Sequence, residues 1–187
     1  MMRLFIALPL PREAEEELGR IIFLLKQKGG SVKWVTPKNI HLTMKFLGDT
    51  EENLVDSINE QIDAIARDFT PVETAITRLG AFPNLSRPRV IWAGLDKNIE
   101  VLAEISGKVE AAVESLGFER EERSFKAHLT LGRVRQPAGL GNLTNYIKSL
   151  DVPEMSFRMD QLVLFRSTLT PRGPVYDRLH EAVLAKG

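Results

Sequence analysis

Apolar side chains recur along this chain in two rhythms. Ala14, Leu18, Ile21, Ile22 and Leu25 follow the three-to-four residue spacing of one helix face. Pro9 and Pro11 open that stretch and Gly29-Gly30 closes it. Leu54, Ile58, Ile62 and Ile65 make a second stripe, with a start predicted at Asp49, Glu52 completing a capping box, and an end before Pro71. A third runs through Ile99, Leu102, Ile105, Val109, Val113 and Leu116 to Gly117, and a shorter helix is predicted over 143–150. Between these lie short apolar or alternating runs that predict strands: 4–8, 32–35, 40–47, 72–79, 89–95, one around His128, 156–166 and 175–184. The turn-rich string "GAFPNLSRP" separates the fourth from the fifth.

The scheme repeats. "LFIAL", helix, "HLTMKFLG", helix, "VETAIT" is matched in order by "RVIWAGL", helix, "HLTLGRV", helix, "FRMDQLVLF", at an offset of about 86 to 87 residues. A duplicated strand-helix-strand-helix-strand unit predicts one domain of two pseudo-symmetric lobes, about 1–85 and 86–187, with exchange of terminal strands between them. Equivalent residues of two such lobes face each other across a two-fold axis, so the two histidine strands are expected to share a cleft.

Composition narrows the chemistry. The 187 residues suit a single domain or two closely packed lobes. Lys plus Arg equals Asp plus Glu at 25 each, so there is no overall attraction for nucleic acid and an anion site must be local. The lack of cysteine excludes disulfides, a thiol nucleophile and thiolate zinc sites. The apolar run near the N-terminus is too short for a signal sequence or a membrane span, and a cytoplasmic protein without membrane attachment is expected. The zincin, Walker A, nucleophile-elbow and dinucleotide-binding motifs do not occur.

The chain has three histidines, and two stand in near-identical words, "NIHLTMKFL" at 39–47 and "KAHLTLGRV" at 126–134. Strand periodicity puts His41, Thr43 and Lys45 on one face, with Ile40, Leu42, Met44 and Phe46 on the core face. In the second copy Lys126, His128 and Thr130 share a face. Arg133 falls out of phase with them, and Gly132 is a place for a bulge that would turn it back. One His-x-Thr is most often a plain surface feature, but two at equivalent places of a repeat point to a shared site. Two imidazoles can serve as one base and one acid, the division needed to open a phosphodiester, while the threonine hydroxyls and nearby cations hold its oxygens. No carboxylate is spaced to complete a metal ligand set, so neither metal nor other cofactor is expected. Trp34 and Phe125 are candidates to stack on a base, whereas Phe46 and Trp92 are read as core. His180 lacks a threonine two residues on and is read as non-catalytic.

With both words in hand the chain resembles the 2H phosphoesterase superfamily, and within it the RNA 2',3'-cyclic phosphodiesterases, also called 2'-5' RNA ligases. The resemblance runs through "RLFIALPLP", "WVTPKNIHLTMKFLGD", "GAFPN", "RPRVIWAGL", "FKAHLTLGRV" and "LVLFRSTLTPRGPVY". It implies a bilobed α+β fold with antiparallel sheets, flanking helices and a central cleft. It also implies metal-independent opening of 2',3'-cyclic phosphate at RNA ends to a 2'-phosphomonoester. By the resemblance His41 is the proton donor and His128 the proton acceptor. Thr43 and Thr130 bind phosphate, and Arg133 is a basic residue after the second motif. Lys45, Lys126 and Arg166 are further candidate substrate contacts. A monomer acting on RNA ends is expected, with reverse 2'-5' joining implied by the family's second name. The alternatives are a relative acting on small cyclic nucleotides or 2'-5' linkages, and a non-catalytic module that binds RNA ends.

Overall fold

The computed structural model describes residues 1–185. β1 (Met2–Pro9) leads into α1 (Arg12–Lys26), β2 (Ser31–Trp34), a 3-10 turn at Pro37–Asn39, and β3 (His41–Thr50). Then come α2 (Val55–Ala66), β4 (Val72–Phe82), β5 (Val90–Asp96), α3 (Ile99–Ser115), β6 (His128–Gln136) and α4 (Gly141–Ser149). β7 (Met155–Met159), β8 (Gln161–Thr170) and β9 (Gly173–Val183) complete the order.

Two antiparallel sheets result, β3-β1-β8-β9 and β2-β6-β5-β4-β7. In each, the histidine strand lies against the opening strand of its own repeat, and beyond that lies the third strand of the other repeat: β8 in the first sheet, β4 in the second. The first sheet therefore draws on both ends of the chain, and no single cut near residue 85 separates the sheets. α2 and α3 pack on each other and against the first sheet; α1 and α4 do the same for the second. The helical stripes read from the sequence are the buried ones: Ala14, Leu18, Ile21, Ile22 and Leu25 in α1, Ile58, Ile62 and Ile65 in α2, and Leu102, Ile105, Val109 and Val113 in α3. On its other face the first sheet buries a small separate cluster, Phe5, Ala7, Val163 and Phe165, with Tyr176 against it. None of the described helices is long and apolar enough to cross a membrane.

Two boundaries differ from expectation. The second helix begins at Val55 after a 3-10 turn, and no capping box forms, because Asp49 and Thr50 are still paired with Arg3 and Met2 of β1. The strand expected over 156–166 is two strands parted at Asp160, since β7 pairs with β4 in the second sheet and β8 with β1 in the first. The chain crosses between sheets there.

Candidate active site

Both histidine strands begin at their histidine and break register at the same place. Thr43 faces Ala7 and Lys45 faces Ile6, leaving Met44 as an extra residue; Thr130 faces Trp92 and Gly132 faces Ile91, leaving Leu131 extra. A bulge advances the alternation by one residue, so side chains beyond it exchange faces. Phe46 and Arg133 thereby come to the face of the histidines, and Lys45 and Gly132 turn toward the helices.

Two expectations are corrected by this shift. Lys45, expected beside Thr43, is only 8% exposed and ion-paired with Glu110 of α3 at 2.6 Å, away from the cleft. Phe46, expected in the core, is 65% exposed. In the second copy the bulge sits where Gly132 suggested and returns Arg133 to phase with His128 and Thr130. Glycine is needed there: a Cβ would lie 2.7 Å from Val32 Cγ1 and 2.8 Å from Trp34 Cε3, because β2 crosses at that point. Trp34 consequently packs on the helix side of the second sheet, off the cleft.

Each histidine is oriented by its own strand. His41 Nδ1 lies 2.8 Å from the Asn39 carbonyl oxygen and His128 Nδ1 2.7 Å from that of Lys126. A carbonyl only accepts, so Nδ1 carries the hydrogen and Nε2 is the free nitrogen of each ring. His41 stacks on Phe5 with centroids 4.7 Å apart, and Tyr176 stands edge-on at 5.5 Å. Burial lowers its pKa to about 4, against the opposing pull of the Asn39 carbonyl. Phe82 stands edge-on to His128 at 4.9 Å. Burial lowers the pKa of His128 too; the Lys126 carbonyl opposes this, and the charges of Arg133 and Lys126 lower it further. Burial raises the pKa of the Tyr176 phenol while Arg133 and Arg3 pull it down. Arg133 thus acts on both halves, on His128 from its own strand and on Tyr176 beside His41. β3 and β6 themselves pass close to one another.

A pocket of about 570 Å³ adjoins His128, lined among others by Arg78, Phe82, Trp92, Phe125 and Lys126. The Lys126 ammonium lies 5.2 Å from the Phe82 ring centre and the Arg78 guanidinium 5.8 Å from that of Trp92. Trp92, read as core, faces this pocket because its neighbour across the pair is Gly80, over which the ring lies. Arg78 and Phe82 were missed; the alternation Arg78, Gly80, Phe82 along β4 was the available signal. Arg166 shares the register of Leu4, on the helix side of the first sheet, and holds Asp177 at 2.9 Å. Its guanidinium is thus engaged by a carboxylate of the neighbouring strand β9. His180 bonds to Asp63 at 2.7 Å and ties β9 to α2. Among the described residues no group of three or more His, Asp or Glu side chains is placed to hold a metal ion.

Paired His-x-Thr strands, brought together between two antiparallel sheets of one duplicated plan, define a two-histidine phosphoesterase. The chain belongs to the LigT-like phosphoesterase family, whose model matches residues 8–92 and 94–176. It is 36% identical over 182 residues to the RNA 2',3'-cyclic phosphodiesterase of Methanocaldococcus jannaschii, covering 96% of this chain and 99% of the relative. To the protein of the same name from Methanothermobacter thermautotrophicus it is 35% identical over 176 residues, covering 94% and 95%. A Thermus thermophilus crystal structure superposes with a TM-score of 0.81 at 29% identity, covering 99% of both chains. Escherichia coli LigT complexed with 3'-AMP shares the fold, with a TM-score of 0.73 at 21% identity over 99% of both chains.

Proposed function

We propose that this protein hydrolyses 2',3'-cyclic phosphate at RNA ends to a 2'-phosphomonoester, with the two histidines as acid and base. The observation that supports the reading is the like build of β3 and β6, which pass close to one another and each fix a histidine by its Nδ1 so that Nε2 is left free. A phosphate between the halves has an imidazole Nε2 on either side, with threonine hydroxyls and the Arg133 fork for its non-bridging oxygens. Water attacks phosphorus as its proton passes to Nε2 of His128. The bond from phosphorus to O3' breaks, and O3' takes the proton of Nε2 of His41, leaving a 3'-hydroxyl and a 2'-phosphate. Burial first, and then the charges of Arg133 and Lys126, lower the pKa of His128 and favour its neutral form, which suits an acceptor. The low pKa of His41 comes from burial, and an anion brought beside the ring raises it, so substrate arrives with uptake of the donor's proton. The same steps with a 5'-hydroxyl in place of water, run on the same phosphate, join two ends through a 2'-5' bond.

The pocket beside His128 has room for the attached nucleoside, with Phe82 and Trp92 as stacking surfaces and Lys126 for backbone charge. The names of the relatives favour RNA ends over small cyclic nucleotides. The test is turnover of an oligoribonucleotide ending in 2',3'-cyclic phosphate in the presence of EDTA, with the product assigned by phosphorus NMR. A 2'-phosphate is expected; a 3'-phosphate, a strict metal requirement or no turnover contradicts the reading.

A further inference from the structure

Residues 116–127 run from the end of α3 to His128 without helix or strand, and 119–124 are all exposed. Five of those six side chains are charged, so apolar burial does little to hold the segment. An ion pair between Lys45 of the first half and Glu110 of α3 does. Lys45 Nζ donates to the Glu119 carbonyl at 2.6 Å and to Glu110 Oε1 at 2.6 Å, and the same carboxylate oxygen accepts the Glu121 N–H at 2.7 Å. Glu121 in turn accepts the Arg123 N–H at 3.1 Å. Beyond these ties the segment places Phe125 and Lys126 on the pocket wall, and the Lys126 carbonyl orients His128.

We propose that Lys45 and Glu110 are positioning residues: their pair pins the segment before the second motif, so that a residue of the first His-x-Thr strand sets the pocket wall and the ring of the second. The inference rests on the cleft acting on nucleotide phosphates. A buried ion pair is a weak source of stability, and well-packed apolar residues of similar size often replace one at no cost. Such residues cannot bind a carbonyl and an N–H on the segment, and this separates positioning from packing.

The experiment compares Lys45→Met with the double variant Lys45→Met/Glu110→Met in melting temperature, tryptic nicking after Arg123, and kcat and KM on a cyclic-phosphate RNA end. The single variant is expected to melt lower and the double to recover. In both, nicking should run at least tenfold faster than wild type and KM rise about tenfold, with a smaller change in kcat. A double variant that recovers melting temperature, nicking rate and KM together overturns the proposal. Glu121→Pro removes two ties of the exposed segment, the N–H given to Glu110 and the carboxylate that takes the Arg123 N–H, and leaves the Lys45–Glu110 pair intact. It should speed nicking and raise KM, and wild-type values in it overturn the proposal even where the double variant does not fold. Should wild type turn over no cyclic phosphate, the function reading fails and the nicking rates still decide the positioning role.

Discussion

The two His-x-Thr strands are alike up to the threonine and unlike after it. Both begin at the histidine, fix its Nδ1 on the carbonyl two residues back, and bulge at the next residue but two. After the bulge, Lys45 stands where the second strand has Gly132, and Phe46 where it has Arg133. One half then presents aromatic surface, with Phe5 and Tyr176 against His41 and Phe46 against Phe5. The other presents cations, with Arg133 and Lys126 acting on His128. The two strands orient their imidazoles alike, the surroundings make the rings unequal, and the proposed acid-base reaction needs that inequality. The helix-facing position differs as well, a pinning charge in one copy and bare backbone under Trp34 in the other.

Arg133→Ala should do most to break the contrast, lowering kcat/KM by on the order of 10²-fold or more, as loss of a charge-stabilising donor does, whereas Phe46→Ala at the equivalent place should change kcat little. Steady-state kinetics on one cyclic-phosphate substrate compares the two directly. Trp92→Leu and Phe82→Ala should raise KM about tenfold, in line with ~1–3 kcal/mol per stacked base, while leaving kcat nearly unchanged. An abasic ribose cyclic phosphate should be handled alike by wild type and both variants. Gly132→Ala should destabilise by about 1–3 kcal/mol through overpacking against Val32 and Trp34, read by denaturant unfolding. The smallest effect concerns pH. With the folded pKa of His41 at about 4 and its ordinary value at 6.5, the unfolded chain binds the extra proton first. Stability contributed by the neutral ring is present above pH 6.5 and is lost as pH falls toward 4. His41→Phe should flatten that part of the stability profile, and an unchanged slope would count against the buried neutral ring.

Much of this was legible in the sequence. The helical stripes and the two strands that open at His41 and His128 rest on periodicity and self-similarity, which local sequence carries. The errors have a common cause. Strict alternation assigned Lys45 to the cleft and Phe46 to the core, and one extra residue in β3 reversed both. The second bulge was anticipated because a glycine marked it; the first carries a lysine there and gave no such sign. Trp92 and Arg166 depended on which residue lay opposite each across the sheet, Gly80 and Leu4, and such register is set by partners far along the chain. The split at Asp160 was hidden for the same reason: nothing in "SFRMDQLVLF" says that its ends belong to different sheets.

In the proposed reaction the two halves act together on one phosphate. Hydrolysis of an RNA 2',3'-cyclic phosphate end by wild type, His41→Ala, His128→Ala and the double variant tests it most directly. If the imidazoles work as a pair, each single variant loses about 10²- to 10⁴-fold in kcat, and the double variant falls little below the worse single one. Losses that multiply in the double variant, or a single variant that keeps the wild-type rate, would contradict the shared site.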